Sequence, residues 1–155
     1  MLQRIQTVYW VFTLLCLGTL LLGLDLVTFK KEIITLNLSV FALKEFDESD
    51  KFIKETSNFN FILVIFLMLL VLYTIFSFKK LGKQLKLAKW SMFLNLLITI
   101  QFILFSYSGM IVSNPISVKL NFSFVFLLIA CVFSVLAYLG VKKDKSLLDS
   151  VDRIR

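Results

Sequence analysis

Residues 120–141 read LNFSFVFLLIACVFSVLAYLGV and contain no charged side chain. A helix needs about 20 predominantly apolar residues to cross the roughly 30 Å hydrocarbon layer of a bilayer. Three further uncharged runs of similar or greater length cover residues 5–24, 56–78 and 90–118. Hydrophobic residues make up 59% of the 155 residues and charged residues 17%, whereas a soluble domain is about a quarter charged. The sequence therefore predicts a protein that crosses a membrane several times.

The predicted fold class is an all-α membrane protein, a four-transmembrane-helix bundle with a small extracytoplasmic β-sheet built from the two outer loops. We treat the chain as a single membrane domain over residues 1–155. The first run is interpreted as a retained helix rather than a secretory signal, because no small-x-small cleavage site precedes Asp25. The expected helices cover about 7–24, 59–78, 90–107 and 122–141. The expected connections are an outer loop 25–58, an inner basic loop 79–89, an outer loop 108–121 and an inner amphipathic tail 142–155.

The distribution of lysine and arginine predicts the orientation. Of the 17 lysine and arginine residues, eleven lie in the two termini and residues 79–89, and six lie in the two outer segments. Loops on the cytoplasmic side carry the excess of positive charge. We therefore expect both termini in the cytoplasm.

Two outer segments have the period of a β-strand. Residues 35–40 alternate polar and apolar side chains, and Ile116, Val118, Leu120 and Phe122 do the same after a turn signal. Two such segments on one side of the membrane predict a shared sheet. Residues 46–55 mix both signs of charge and predict either a solvated connector or a short helix. This segment and the sheet edge are the expected surfaces for a periplasmic partner.

The composition argues against most catalytic chemistry. There is no histidine, which is the commonest general base and metal ligand. Both cysteines lie inside uncharged runs, and no acidic residue occurs between Glu55 and Asp144. No nucleotide-binding, hydrolase or zinc-protease motif is present. We therefore expect no catalytic residues, no cofactor and no metal site.

Polar residues in the third apolar run are candidates for helix packing or for contacts with a partner. Ser91, Asn95 and Thr99 recur every four residues and share one helix face, while Gln101 points nearly the opposite way. Because Asn95 and Gln101 face different directions, we expect at least one of them to form a hydrogen bond outside this chain. A second interpretation has Ser91, Asn95 and Thr99 lining a cavity.

The basic segment 79–89 predicts contacts with anionic lipid or with an acidic partner. Nucleic acid is not expected, with ribosomal RNA as the exception if the protein lies beside a translocation channel. The candidate residues are Lys79, Lys80, Lys83, Lys86 and Lys89.

The two ends of the chain carry a resemblance. Residues 1–9 read MLQRIQTVY and residues 150–155 read SVDRIR. With four apolar runs between them, these motifs resemble a family of uncharacterised four-helix inner-membrane proteins of Bacteroidetes-type bacteria, known as a domain of unknown function. The resemblance covers nearly the whole chain and implies a bacterial cytoplasmic membrane. It implies no functional residues.

Three functions follow as hypotheses. The preferred one is a non-catalytic accessory or scaffold subunit that binds other membrane or envelope proteins in protein export or envelope biogenesis, with membrane lipids around it. The alternative is a small channel or carrier for an uncharged or lipidic substrate. A lipid enzyme at the outer interface would have to use Asp25 or the acidic residues of 45–55.

Overall fold

The computed structural model describes residues 3–31, 34–47, 51–113 and 115–152, which form four α-helices and five strands. The helices are α1 (Gln3–Leu20), α2 (Asn60–Phe76), α3 (Leu81–Ser113) and α4 (Phe122–Asp152), and a 3-10 turn (Ser77–Lys79) joins α2 to α3. The strands are β1 (Val27–Lys30), β2 (Ile34–Leu38), β3 (Ala42–Asp47), β4 (Phe52–Ser57) and β5 (Ser117–Leu120).

The predicted all-α class and its four-transmembrane-helix bundle are wrong. The helices are combined with one antiparallel sheet of five strands in the order β4-β3-β2-β1-β5, so the chain is an α+β protein. In the described part of the chain, two helices are long and apolar enough to cross a membrane, with spans at Leu81–Ser108 and Phe122–Ser150. The apolar parts of α1 and α2 (Ile5–Leu20 and Asn60–Phe76) are shorter.

The sheet joins the two segments that precede α2 and α4. β1 pairs with β2 through Val27↔Leu38 and with β5 through Val27↔Leu120, which agrees with the alternation in both segments. The prediction of a connector or helix at 46–55 is wrong, because β3 and β4 form a hairpin there. Residues 48–50 at its tip lie outside the described residues.

Several helix limits differ from the expected ones, among them the start of α1 at Gln3 rather than at 7 and the end of α3 at Ser113 rather than at 107. The first helix ends at Leu20 rather than at 24, and Gly23 follows with a φ of 74° that favours glycine over other residues. The third helix begins at Leu81 rather than at 90, so most of the expected basic loop 79–89 is helical. The last helix continues to Asp152, so the described part of the expected tail extends α4. Residues 153–155 lie outside the described residues.

One continuous apolar core connects the helices with the sheet. Trp10, Leu17, Phe102 and Leu127 are buried between helices, and Phe29 of β1 belongs to the same cluster. α1 packs most extensively on α4, α3 packs on α4 and on α2, and the first strand contacts α3. A backbone hydrogen bond from Asn121 to Leu26, with an N···O distance of 3.0 Å, fixes the start of α4 beside β1. The sheet thus lies at one end of the helices. We call the other end, where α1 and α3 begin and α2 and α4 end, the basic end.

Candidate binding surfaces

The predicted polar face of α3 lies inside a helix–helix contact. Ser91, Asn95 and Thr99 are all buried. The Asn95 side-chain amide donates to the backbone oxygen of Ala130 in α4 at 3.1 Å, and the hydroxyl of Thr99 donates to the backbone oxygen of Asn95 at 2.9 Å. The Ser91 hydroxyl donates to Ala88 within its own helix. These three buried residues therefore form a packing seam between α3 and α4.

Gln101 is not part of this seam. Its side-chain nitrogen donates to Oδ1 of Asn60, the first residue of α2, at 2.9 Å. Each of the two amides thus donates a hydrogen bond within the chain, Asn95 to α4 and Gln101 to α2. That at least one of them bonds outside the chain stays a prediction. One acceptor is left over, since Oδ1 of Asn95 is buried without a hydrogen-bond partner.

The predicted basic residues share the basic end of the molecule but not one face. Lys80 immediately precedes α3, and Lys83, Lys86 and Lys89 lie in its first three turns with exposed side chains. At 3.6 residues per turn, the last three spread over about a third of the helix circumference. The side chain of Lys79 lies outside the described residues. The exposed Lys142 and Lys143 in α4 add to the charge of this end.

A small polar network joins Asp25, which lies just before β1, to Asn37 of β2 and Lys44 of β3, on the sheet face opposite Phe29. Asn37 donates to the carboxylate of Asp25 at 2.9 Å, and Asn37 is paired in register with Lys44 of β3. Burial raises the pKa of the Asp25 carboxyl, while the Lys44 charge and the hydrogen bond from Asn37 lower it. Because this carboxylate is held by an amide and a cation, the network ties the α1–β1 connection to the sheet.

Three of the acidic residues considered for a lipid enzyme lie beside an amide or a lysine, whereas Glu48 and Asp50 lie outside the described residues. Asp25 belongs to the network above, and Glu45 and Glu55 lie opposite lysines in the β3–β4 ladder. In the described ranges, no group of three or more histidine, cysteine or acidic side chains is placed to hold a metal ion.

β4 and β5 are the two edge strands of the sheet, and all six residues of β4 are exposed. Phe52 is 56% and Ile53 is 51% exposed. The sequence analysis included this segment as a partner surface but assigned it the wrong structure. Its apolar and β-branched residues Phe52, Ile53 and Thr56 were the signal for a strand, which the surrounding charges obscured.

The helices also present a large apolar surface. Only 33% of the span in α3 and 28% of the span in α4 are buried inside the molecule. Leu104, Ile103 and Leu97 of α3 and Leu128, Val132 and Leu139 of α4 are among the exposed side chains. Large contiguous apolar patches are rare on soluble monomers and are typical of surfaces that contact a membrane or another protein.

The fold and these surfaces define a class, an α+β protein whose partly exposed apolar helices adjoin an antiparallel sheet. The chain belongs to the family described as Domain of unknown function (DUF4293), whose model matches residues 2–154. That match confirms the resemblance to a domain of unknown function over nearly the whole chain. No curated protein matches the sequence.

Proposed function

We propose that the protein is a non-catalytic accessory or scaffold subunit of the bacterial cytoplasmic membrane, which binds another membrane or envelope protein through the open edge of its sheet. Its role would lie in protein export or envelope biogenesis. Three observations support this proposal: the exposed apolar surface of the helices, the separation of the basic end from the sheet, and the geometry of β4.

The exposed surface of α3 and α4 supports a membrane location. A core helix of a soluble protein is mostly buried, whereas only 33% of the span in α3 and 28% of the span in α4 are buried here. Hydrocarbon accommodates such a surface because every backbone group inside a helix is already hydrogen-bonded. In this proposal α3 and α4 cross the bilayer, with α1 and α2 packed beside them.

The charge distribution supports the orientation. Lys80, Lys83, Lys86, Lys142 and Lys143 lie at the basic end, and the sheet lies at the opposite end. Because positively charged segments stay on the cytoplasmic side, the basic end faces the cytoplasm and the sheet faces the extracytoplasmic space.

The observation that carries the partner proposal is the direction of the backbone groups in β4. Asn58 donates to the backbone oxygen of Phe41 at 2.6 Å, and the register continues with Leu43↔Thr56 and Glu45↔Lys54. Since hydrogen-bonded pairs alternate with non-bonded pairs in an antiparallel ladder, the backbone groups of Glu55 and Ser57 face the open edge. A strand from another protein can pair with them.

The charges of β4 do not oppose such pairing. Lys54 lies opposite Glu45 and Glu55 lies opposite Lys44 in the ladder. These two pairs are therefore balanced in charge, while Phe52 and Ile53 provide exposed apolar surface at the same edge. Main-chain hydrogen bonds supply affinity in this mode of recognition, and side chains such as these supply specificity.

The membrane orientation is tested by cysteine labelling in intact cells. In a background where Cys16 and Cys131 are replaced by serine, Lys54→Cys and Lys86→Cys are compared with a membrane-impermeant maleimide. We expect labelling of the Lys54 position alone, and labelling of the Lys86 position only after lysis. The reverse pattern, or extraction of the protein by carbonate, would overturn the location.

The partner surface is tested with a variant that changes the backbone only at the open edge. A photo-reactive residue at position 53 is used for cross-linking in cells, in combination with Glu55→Pro, which removes the outward N–H. The matched control is Glu55→Ala, which removes the charge but keeps the N–H. We expect one defined cross-linked product that Glu55→Pro abolishes and Glu55→Ala retains. An equal product from both variants, or recovery of this chain alone from native membranes, would contradict the proposal.

A further inference from the structure

A groove of about 550 Å³ opens between α1 and α2 at the basic end. This volume lies within the range of ligand sites in proteins, about 300–1,000 Å³. Its walls are mainly apolar and are formed by Val8, Val11, Phe12, Ile75, Phe76 and Phe78. Four of these side chains are about half exposed, and Phe76 is more exposed still. The groove is therefore open toward the surroundings of the helices rather than enclosed in the core.

Polar groups occur at one end of this apolar groove. Gln6 and Gln84, from the first turns of α1 and α3, are lining residues whose side chains are buried. Gln6 donates to Asp144 in α4, and Nε2 of Gln84 lies 3.5 Å from the backbone oxygen of Thr74. Both amides are thus held in place beside the groove.

Positive charge follows beyond Gln84, whereas Gln6 is bonded to the carboxylate of Asp144. Gln84 donates its backbone N–H to the oxygen of Lys80 at 2.9 Å, so Lys80 lies one turn before Gln84, directly ahead of α3. Lys83 is adjacent to Gln84, and both lysine side chains are exposed. The positive end of the α3 helix dipole lies at the same place.

We propose that this groove binds one anionic phospholipid from the leaflet at the basic end. The order of surfaces matches the order of groups in that molecule: hydrocarbon wall for the acyl chain, amides at the level of the ester groups, and Lys80 and Lys83 at the phosphate. The inference rests on the membrane location in the proposed function and adds a specific ligand to it.

The dimensions favour a lipid over a helix of a partner protein. The α1 wall covers residues 6–12, which is about 10 Å along the axis. A packed helix is itself 10–12 Å in diameter and makes contacts over several turns. A single acyl chain, in contrast, fits a short and narrow groove that opens sideways.

The test uses the full-length protein, purified in mild detergent, freed of lipid and placed in vesicles of phosphatidylglycerol and phosphatidylcholine in equal amounts. Lipid retained after re-extraction is measured by native mass spectrometry. We expect one retained phosphatidylglycerol per protein. Lys80→Gln and Lys83→Gln should each reduce its retention about fivefold, the effect of one lysine near an anionic surface.

The matched control is the double variant Lys142→Gln with Lys143→Gln, which removes two charges from the same end but outside the groove. It should retain phosphatidylglycerol as the unmodified protein does. Val11→Trp fills the groove and should reduce retention of either lipid, and circular dichroism of each variant confirms that its helices are intact. The proposal would be overturned if the Lys142→Gln, Lys143→Gln variant lost as much phosphatidylglycerol as Lys80→Gln does. It would also be overturned if the unmodified protein retained phosphatidylglycerol and phosphatidylcholine equally.

The experiment separates this inference from the proposed function. A protein that does not enter vesicles at all contradicts the membrane location. A protein that enters vesicles but shows no lipid preference contradicts only the groove, and the cross-linking at β4 is unaffected. Retention of a co-purified peptide in the groove instead of a lipid would also overturn the inference.

Discussion

The side-chain amide of Asn95 in α3 donates to the backbone oxygen of Ala130 in α4 at 3.1 Å. The Ala130 oxygen lies inside α4, where it already accepts the regular intrahelical hydrogen bond. Asn95 therefore donates to the second lone pair of that oxygen. Because Oδ1 of the same residue is buried without a partner, the contact combines one favourable bond with one unsatisfied acceptor. Asn95 therefore holds α3 against α4 at this position.

Asn95→Ala should destabilise the α3–α4 pair by about 0.6–2 kcal/mol, the range for an interhelical hydrogen bond in an apolar environment. Both substitutions remove the donor and the unsatisfied oxygen, but Asn95→Leu should cost less because it keeps the side-chain volume and leaves no cavity. The measurement is the free energy of unfolding in detergent micelles. Gln101→Ala is the control, since its bond to Asn60 is exposed. A larger loss for Gln101→Ala than for Asn95→Ala would contradict this account of the seam.

Phe29 should couple the stability of the sheet to that of the helices. It is buried in the cluster that contains Phe102 of α3, so Phe29→Ala is expected to cost about 3–5 kcal/mol. Phe52→Ala removes the same phenyl ring at the exposed edge of the same sheet, and it should cost less than about 1 kcal/mol. Limited proteolysis at the sheet and thermal unfolding followed in parallel provide the readout. Similar losses for both phenylalanines would mean that the sheet is not anchored through β1.

The sequence was sufficient to predict helices in the apolar runs and strands in the two alternating segments. It was misleading at the limits of the helices, because lysine marks the end of an apolar run but is itself a good helix former. Lys83, Lys86 and Lys89 therefore continue α3 toward its start at Leu81. By the same reasoning Lys142 and Lys143 do not end α4, which continues to Asp152.

The β3–β4 hairpin could not be predicted from local pattern. Its charges are dense along the chain, and their complementarity exists only across the ladder, where Lys44 faces Glu55 and Glu45 faces Lys54. The register is irregular between Glu45 and Phe46, which further weakens the alternation in β3.

The groove between α1 and α2 could not be predicted from the sequence, since it depends on how the two helices diverge. The seam residues, in contrast, were predictable from their spacing, although their partner on α4 was not.

Asp25 should make stability depend on pH in a defined direction. Burial raises the pKa of its carboxyl above the ordinary value of 3.8, so the folded state binds the proton more readily than the unfolded state does. The contribution of this group to the unfolding free energy therefore increases as the pH falls through the folded-state pKa toward 3.8, and decreases as the pH rises.

Melting temperatures in detergent between about pH 7 and 4 test this dependence against Asp25→Asn, which has no carboxyl to protonate. The unmodified protein should gain stability relative to Asp25→Asn as the pH falls. Lys44→Gln removes a charge that lowers the pKa of Asp25, so its gain should begin at a higher pH. A relative loss of stability on acidification would show that the pKa of Asp25 is shifted the other way.

Of the helical glycines Gly18, Gly82 and Gly140, Gly140 should be the least able to accept a side chain. A Cβ at this position would lie 2.8 Å from Cγ of Gln6, whose side chain is buried and donates to Asp144. Gly140→Ala must therefore displace Gln6 and break that bond, at a cost of about 1–3 kcal/mol for the added volume. Gly82→Ala is the matched control, because nothing lies within 4 Å of its Cβ position, and it should be neutral or stabilising by up to about 1 kcal/mol.

The unfolding free energies of Gly140→Ala and Gly82→Ala, with and without Gln6→Ala, decide whether the close approach of α1 and α4 is the cause. If it is, removing the Gln6 side chain makes room for the new methyl group, and Gly140→Ala should cost much less in the Gln6→Ala background than alone. Gly82→Ala should have the same effect in both backgrounds, since it is remote from Gln6. An undiminished cost of Gly140→Ala in the Gln6→Ala background would place the loss in α4 itself, and the contact between Gly140 and Gln6 would then not set the distance between the two helices.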